Sequence, residues 1–356
     1  MSGYDYLNAR IRAMSRFLIP NDVFDQILAA DGEDILIDVL LNSPYGPILS
    51  EKLPVESGRV VRGLTAAESA LREGLFDTFT HIEAIALEGQ RRLLGIQLNR
   101  WDVMNVLSLL RGVAHNADRE DIVHSMIPAG EFHPAQLAEL AAEHDIKSVA
   151  DSLTTAGYAF AHEVRRAVRE FPSSGGDFAA LETRLYTRYY TWALESLNPS
   201  EEDELVLRDH MQLQIDLVNV ISTLKQVAYR SQKRPIEAVE RIPGGKIRNA
   251  ILEQLLDSQS VEYALEVLDQ THFSPAIERG ILVFGQTNRL SVLERFLEQV
   301  VIVKGMNLFR GDPLNIGVPL GFIWRKVNEY LNLRMLLRGK RYHLPANAIR
   351  EELLLV

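Results

Sequence analysis

Three copies of one pattern, spaced by about 113 residues, restrict what this chain can fold into. Residues 101–112 read WDVMNVLSLLRG, residues 215–226 read IDLVNVISTLKQ, and residues 328–339 read NEYLNLRMLLRG. Each copy has an acid, an Asn three residues on, a Leu at eight and a base at nine. These are Asp102, Asn105, Leu110 and Arg111, then Asp216, Asn219, Leu224 and Lys225, then Glu329, Asn332, Leu337 and Arg338. Two further landmarks keep step. DVLLNSPY at 38–45, DSLTTAGY at 151–158 and EVLDQTHF at 266–273 share an acid (Asp38, Asp151, Glu266), a Leu two residues later (Leu40, Leu153, Leu268) and an aromatic seven later (Tyr45, Tyr158, Phe273). An acid-x-x-Leu follows in each copy as Glu68–Leu71, Glu182–Leu185 and Glu294–Leu297, lying 37, 37 and 38 residues before the motif Asn. One acid-x-x-Asn pair is common in helical sequence. Three landmarks held in register three times indicate triplication.

Units of this size exceed solenoid repeats of about 20–50 residues. Each holds about six helices of ordinary length. The repeat divides the 356 residues into units at 1–116, 117–230 and 231–356. Like units in tandem pack through the same two faces, and such contacts either close or propagate. Three without a fourth full copy favour closure about a pseudo-threefold axis. Asp5-Tyr-Leu-Asn8-Ala-Arg10 is a partial fourth copy that lacks the base at nine, where Met14 stands.

The dominant period is helical. The stretch NDVFDQILAADGEDILIDVL, beginning at Asn21, carries a cap candidate at Asn21–Asp22, apolar Val23, Phe24, Ile27 and Leu28, and a second helix after Gly32. Residues 136–153, 204–229 and 248–268 read alike, and Gln299–Val303 continues a helix begun at Ser291. Alternating strand patterns are almost absent, so the fold class is all-α. Turns fall at Ser43–Gly46, Phe171–Gly176, Arg241–Gly245 and Gly311–Pro313.

On the motif helix Asp102, Asn105 and Leu109 share a face, and Val103, Val106, Leu107 and Leu110 cover much of the rest. A helix apolar over most of its circumference is buried. Its acid and Asn then need hydrogen-bond partners, in an adjoining unit or along a central opening. The structural role is favoured for all nine motif residues over direct contact with a partner protein. Arg111, Lys225 and Arg338 are expected at helix C-termini, complementing the dipole.

No catalytic, cofactor or metal site emerges. The chain has no cysteine, which removes thiol chemistry and Cys-ligated zinc. Gly244–Gly245–Lys246 lacks the earlier Gly of a phosphate loop and has Ile247 at the hydroxyl position. Gly175–Gly176–Asp177–Phe178 is read as a loop with a helix cap at Asp177. His115, His124 and His133 make no zinc motif, and no G-x-S-x-G elbow exists. Tyr186, Tyr189, Tyr190 and Trp192 read as core packing. The net charge of −10 argues against nucleic acid and direct lipid binding. No apolar run approaches the roughly 20 residues of a membrane span, and charged residues through the first sixteen exclude a signal peptide. A soluble intracellular protein is expected.

The chain resembles the C subunit of prokaryotic V/A-type rotary ATPases, a family related to the d subunit of the eukaryotic vacuolar enzyme. The stretches that carry the resemblance are YDYLNARIRAM at 4–14, ILAADGEDILIDVLLNSPYG at 27–46, LETRLYTRYYTWALES at 181–196, IDLVNVISTLKQ, and GFIWRKVNEYLNLRMLLRGK at 321–340. It runs essentially end to end. Two departures stand out: Lys225–Gln226 where the outer units have Arg–Gly, and the Gly- and Pro-rich run at 303–320. The resemblance implies a funnel of three helical domains on the cytoplasmic face of the membrane. It implies partners in the rotor-ring proteolipid subunits and in the D and F subunits of the central shaft, torque transmission for ion transport or ATP synthesis, and no catalysis. An all-α scaffold or adaptor unrelated to a membrane complex is the alternative, and an enzyme is a distant third.

Overall fold

The computed structural model describes residues 3–30, 32–53, 55–56, 59–60, 63–171, 178–232 and 240–355. The turn through Gly176 and the cap at Asp177 lie outside these, apart from Phe171. Helix α1 (Asp5–Met14) opens the chain. One order of helices then recurs three times, three short helices followed by two longer ones. The first set is α2 (Asn21–Ala29), α3 (Glu33–Leu41), α4 (Gly46–Lys52), α5 (Leu64–Ile85) and α6 (Glu88–Ala114), trailed by α7 (Arg119–Ser125). The second is α8 (Pro134–Leu140), α9 (Ile146–Thr155), α10 (Ala161–Glu170), α11 (Phe178–Glu195) and α12 (Glu202–Ser231). The third is α13 (Asn249–Asp257), α14 (Val261–Leu268), α15 (Ser274–Thr287), α16 (Leu290–Asn307) and α17 (Gly317–Arg341), trailed by α18 (Ala346–Glu352). Apart from helix, a two-residue antiparallel pair joins Val55–Glu56 to Arg59–Val60. The chain is all-α.

Contacts group the chain into two compact units that do not follow the repeat: residues 1–105, 123–139 and 306–356, and residues 106–122 and 140–305. In the first, α17 packs on α5, α1, α2 and the 3-10 turn Leu308–Arg310, and α18 packs on α17 and α2. Gly321 brings α17 so close to the Phe309 backbone that a Cβ has no room there. That close approach accounts for glycine at this position. In the second unit, α9 packs on α10, α10 on α11, α11 on α12, and α12 on α13 and α14. Tyr189 and Tyr190 are buried there, with Phe160 edge-on to Tyr189 and to Trp192, so the core role expected for the aromatic cluster holds for these two tyrosines, while Tyr186 and Trp192 are half-buried at its margin.

The landmarks fall at equivalent places in the three sets. Leu40, Leu153 and Leu268 are fully buried, as are Leu71, Leu185 and Leu297. Tyr45, Tyr158 and Phe273 are buried at the bend between the second and third short helices. The bend is built two ways. In the outer sets a hydroxyl closes it: Ser43 Oγ donates to Leu40 O and accepts from Tyr45 N, and Thr271 Oγ1 does the same between Leu268 and Phe273. The middle set has Ala156 at that position, and Gly157 turns the chain instead at φ +76°. There Tyr158 N donates to Leu153 O and Gly157 N to Thr154 O, a Schellman ending.

The expected cap at Asn21–Asp22 is displaced. Pro20 is the N-cap, extended at φ −73° and ψ 157°, and Asn21 and Asp22 are already in the helix.

Candidate functional site

The motif helices α6, α12 and α17 owe their burial to apolar residues on nearly every side, and Leu110, Leu224 and Leu337 are fully buried. The motif Asn and acid are buried with them and hold the segments that follow in the chain. Asn105 Nδ2 donates to Ile127 O at 2.7 Å, and its Oδ1 accepts from Ile127 N at 2.7 Å. Asn219 does the same with Ile242, both at 2.8 Å. Asn332 does the same with Leu354, at 2.9 and 3.0 Å. A carboxamide offers one donor and one acceptor side by side, the complement of one residue's N–H and C=O.

The acids take the backbone four to five residues beyond the clamped Ile. Asp102 accepts from Glu131 N at 2.7 Å and Phe132 N at 3.5 Å, and Asp216 from Lys246 N and Ile247 N, each at 3.0 Å. Gly130 and Gly245 lie flat against these carboxylates, where a Cβ would collide with them. The third acid departs. Glu329 Oε2 accepts from Ile19 N at 2.5 Å, and Oε1 accepts from Tyr45 Oη at 2.6 Å and Lys326 Nζ at 2.7 Å. Ile19 stands before Pro20 as Ile127 and Ile242 stand before Pro128 and Pro243, but Asp22 replaces the glycine. Glu329, longer by one methylene and steadied by a lysine, meets the Ile instead. The Ile–Pro with Gly three residues after the Ile is the signal in sequence that locates the clamps at Ile127 and Ile242, which the motif residues alone do not reveal, and the clamp at Leu354 carries no such signal.

Burial is the main force on the acids. It pushes Asp102 up to about 7 and Asp216 up to about 6, against the backbone donors, which lower both. His272 Nε2 lies 3.5 Å from Asp216. Burial, with Lys304 and Lys246, drives that imidazole down to about 4, so it is neutral at pH 7.

The bases find carboxylates, and the helix-end position expected for all three fails for Lys225 alone. Arg111 and Arg338 stand in the last turns of their helices, but Lys225 stands well short of Ser231. Each pairs with the acid-x-x-Leu glutamate of the next repeat. Arg111 pairs with Glu182, and Lys225 with Glu294 at 3.3 Å. Arg338 runs back to the first repeat, to Glu68 at 2.7 Å. Two motif helices also cap the first short helix of the following set. Arg230 donates to Leu256 O and Ser258 O at the end of α13, and Lys340 to Leu28 O and Ala30 O at the end of α2. Arg–Gly at 111–112 and 338–339 has its own reason. The glycines admit Ile122 of α7 and Ile349 of α18, where a Cβ would clash. With Gln226 at that position, α12 instead continues to Ser231.

These residues grip backbone and one another. Among the described residues no group of three or more His, Asp or Glu is placed to hold a metal ion. Among them, too, no helix is long and apolar enough to cross a membrane.

Comparison with known proteins sets this helical triplicate in context. The profile of the ATP synthase (C/AC39) subunit family matches residues 7–352. The chain belongs to that family. It is 28% identical to the A-type ATP synthase C subunit of Methanosarcina acetivorans, over all of this chain and 94% of that protein. It is 26% identical to the V-type ATP synthase C subunit of Deinococcus radiodurans, over 98% of this chain and 90% of that protein. Against the A-type ATP synthase C subunit of Methanocaldococcus jannaschii the identity is 22%, over 99% and 87%. The resemblance carried by the motif helices thus extends to family membership across the chain, as a subunit of a rotary ATPase.

Proposed function

We propose that this chain is the central-stalk coupling subunit that links the membrane rotor ring to the D/F shaft of a V/A-type rotary ATPase and transmits torque between them. Family membership supports the reading. The observation that carries it beyond the family is the head-to-tail order of the ion pairs, Arg111–Glu182, Lys225–Glu294 and Arg338–Glu68, in which the third repeat binds the first. Such an order suits three units, 1–116, 117–230 and 231–356, closed about a pseudo-threefold axis into a funnel. Its wide end would rest on the proteolipid ring at the cytoplasmic face and its lumen would receive the shaft foot.

In this role the acids and bases of the motif, with Asn105 and Asn219, bind the units to one another, and close-packed interiors transmit strain with little compression. The carboxylates are engaged by backbone N–H groups, which suits structure rather than turnover. The chain adds no chemistry to ATP hydrolysis or synthesis. The test is reconstitution of the complex in vesicles with and without the chain, reading ATPase rate and ion uptake together. Loss of uptake with hydrolysis by the soluble head retained is expected. Undiminished uptake without the chain, or hydrolysis by the chain alone, overturns the proposal.

A further inference from the structure

We propose that the cleft between the start of α2, the 3-10 turn Leu308–Arg310 and α17 is an anion site that takes a phosphate group. The cleft encloses about 160 Å³, room for about five waters. Arg310 and Arg325 both line it. Among the described residues neither guanidinium meets a carboxylate. Arg325 lies over the Phe309 ring at 4.3 Å, and Arg12 lies 5.5 Å from the same ring, so the neighbourhood is cationic. Burial, and then the charge of Arg310, hold Arg325 below its ordinary pKa.

The acid that lines the cleft does not offset them. Glu329 is occupied by Lys326, Tyr45 and Ile19 N, and its charge is met by the lysine. The Asn328 and Asn332 amide nitrogens both donate to Leu354 O. Two like charges lining one polar void are stabilised by a dianion between them. Guanidinium forks match the oxygens of a phosphate, and the two positive charges match its two negative ones. The chemistry is that of a phosphate group, whether inorganic, on a nucleotide or on a lipid.

The test is calorimetric titration of the full chain at constant ionic strength with inorganic phosphate, with ADP, and with phosphatidic-acid vesicles. Binding of at least one with a Kd of about 1 mM or tighter is expected. Phosphate alone identifies the free ion, tighter ADP a nucleotide, and vesicle binding a lipid. Arg310→Gln and Arg325→Gln should each weaken binding about tenfold or more, while Arg279→Gln on α15 leaves it unchanged. Arg310 is exposed, so its replacement leaves the fold intact and decides the matter even if the Arg325 variant is unstable. No binding of any probe overturns the site. So does binding that survives Arg310→Gln, or that falls equally in Arg279→Gln.

Discussion

Asn105 and Ile127 exchange two hydrogen bonds, each 2.7 Å, between a side chain buried in a helix and the backbone of a residue 22 positions on. The exchange recurs at Asn219 with Ile242 and at Asn332 with Leu354, so one carboxamide fixes the path out of every motif helix. Removing it leaves a backbone N–H and C=O unpaired. Asn105→Ala and Asn219→Ala should each cost about 2–4 kcal/mol. Urea unfolding measures the cost, and amide hydrogen exchange at Ile127 or Ile242 should speed up in the matching variant alone. Protection unchanged at those amides counts against the clamp.

The three ion pairs should differ in worth. Glu68 is 3% exposed, and Arg338→Ala strands its carboxylate, which should cost about 3 kcal/mol. Arg111 is 50% exposed and Lys225 41%, and their alanine variants should lose about 1 kcal/mol or less. Thermal unfolding of the three variants ranks them, and equal losses contradict this order.

Gly130 and Gly245 are pressed against a carboxylate, whereas Gly95 has no neighbour that a side chain would meet. Gly130→Ala and Gly245→Ala press a methyl onto Asp102 and Asp216, and each should destabilise by about 1–3 kcal/mol. Gly95, within α6, has open space around a built Cβ, and Gly95→Ala should stabilise by about 0.5–1 kcal/mol. Denaturant midpoints that move the same way in all three would refute the packing argument.

Asp102 makes stability depend on pH in a defined direction. Its folded value, about 7, lies above the roughly 3.9 of an unfolded aspartate, so the folded chain holds this proton longer. The advantage is full below about pH 4 and is lost as pH rises through 7. Between those limits the wild type should lose on the order of 3 kcal/mol relative to Asp102→Asn, whose side chain does not titrate. Unfolding curves for the two proteins across that range are the measurement, and parallel pH profiles would exclude the shift.

Helix was legible because its signal is local. Apolar residues at a 3.6-residue period place α2, α3, α12 and α13 without reference to anything distant. The triplicate was legible for a related reason. Asp102, Asp216 and Glu329, with their Asn, Leu and basic followers, repeat in one register, and register survives where overall identity does not. The cap at Asn21–Asp22 was misplaced because Asn and Asp are the usual capping types, whereas here the extended Pro20 precedes the first turn.

Partners were not legible. Nothing near Arg338 in the chain names Glu68, which lies 270 residues earlier, and nothing near Glu329 names Ile19. The motif's identity is thus written in the sequence, and so is the need of a buried Asn or acid for a hydrogen-bond partner. Which backbone or carboxylate meets that need is settled only when the helices pack. Side-chain type and local period are properties of neighbours in the chain, while a hydrogen bond depends on neighbours in space.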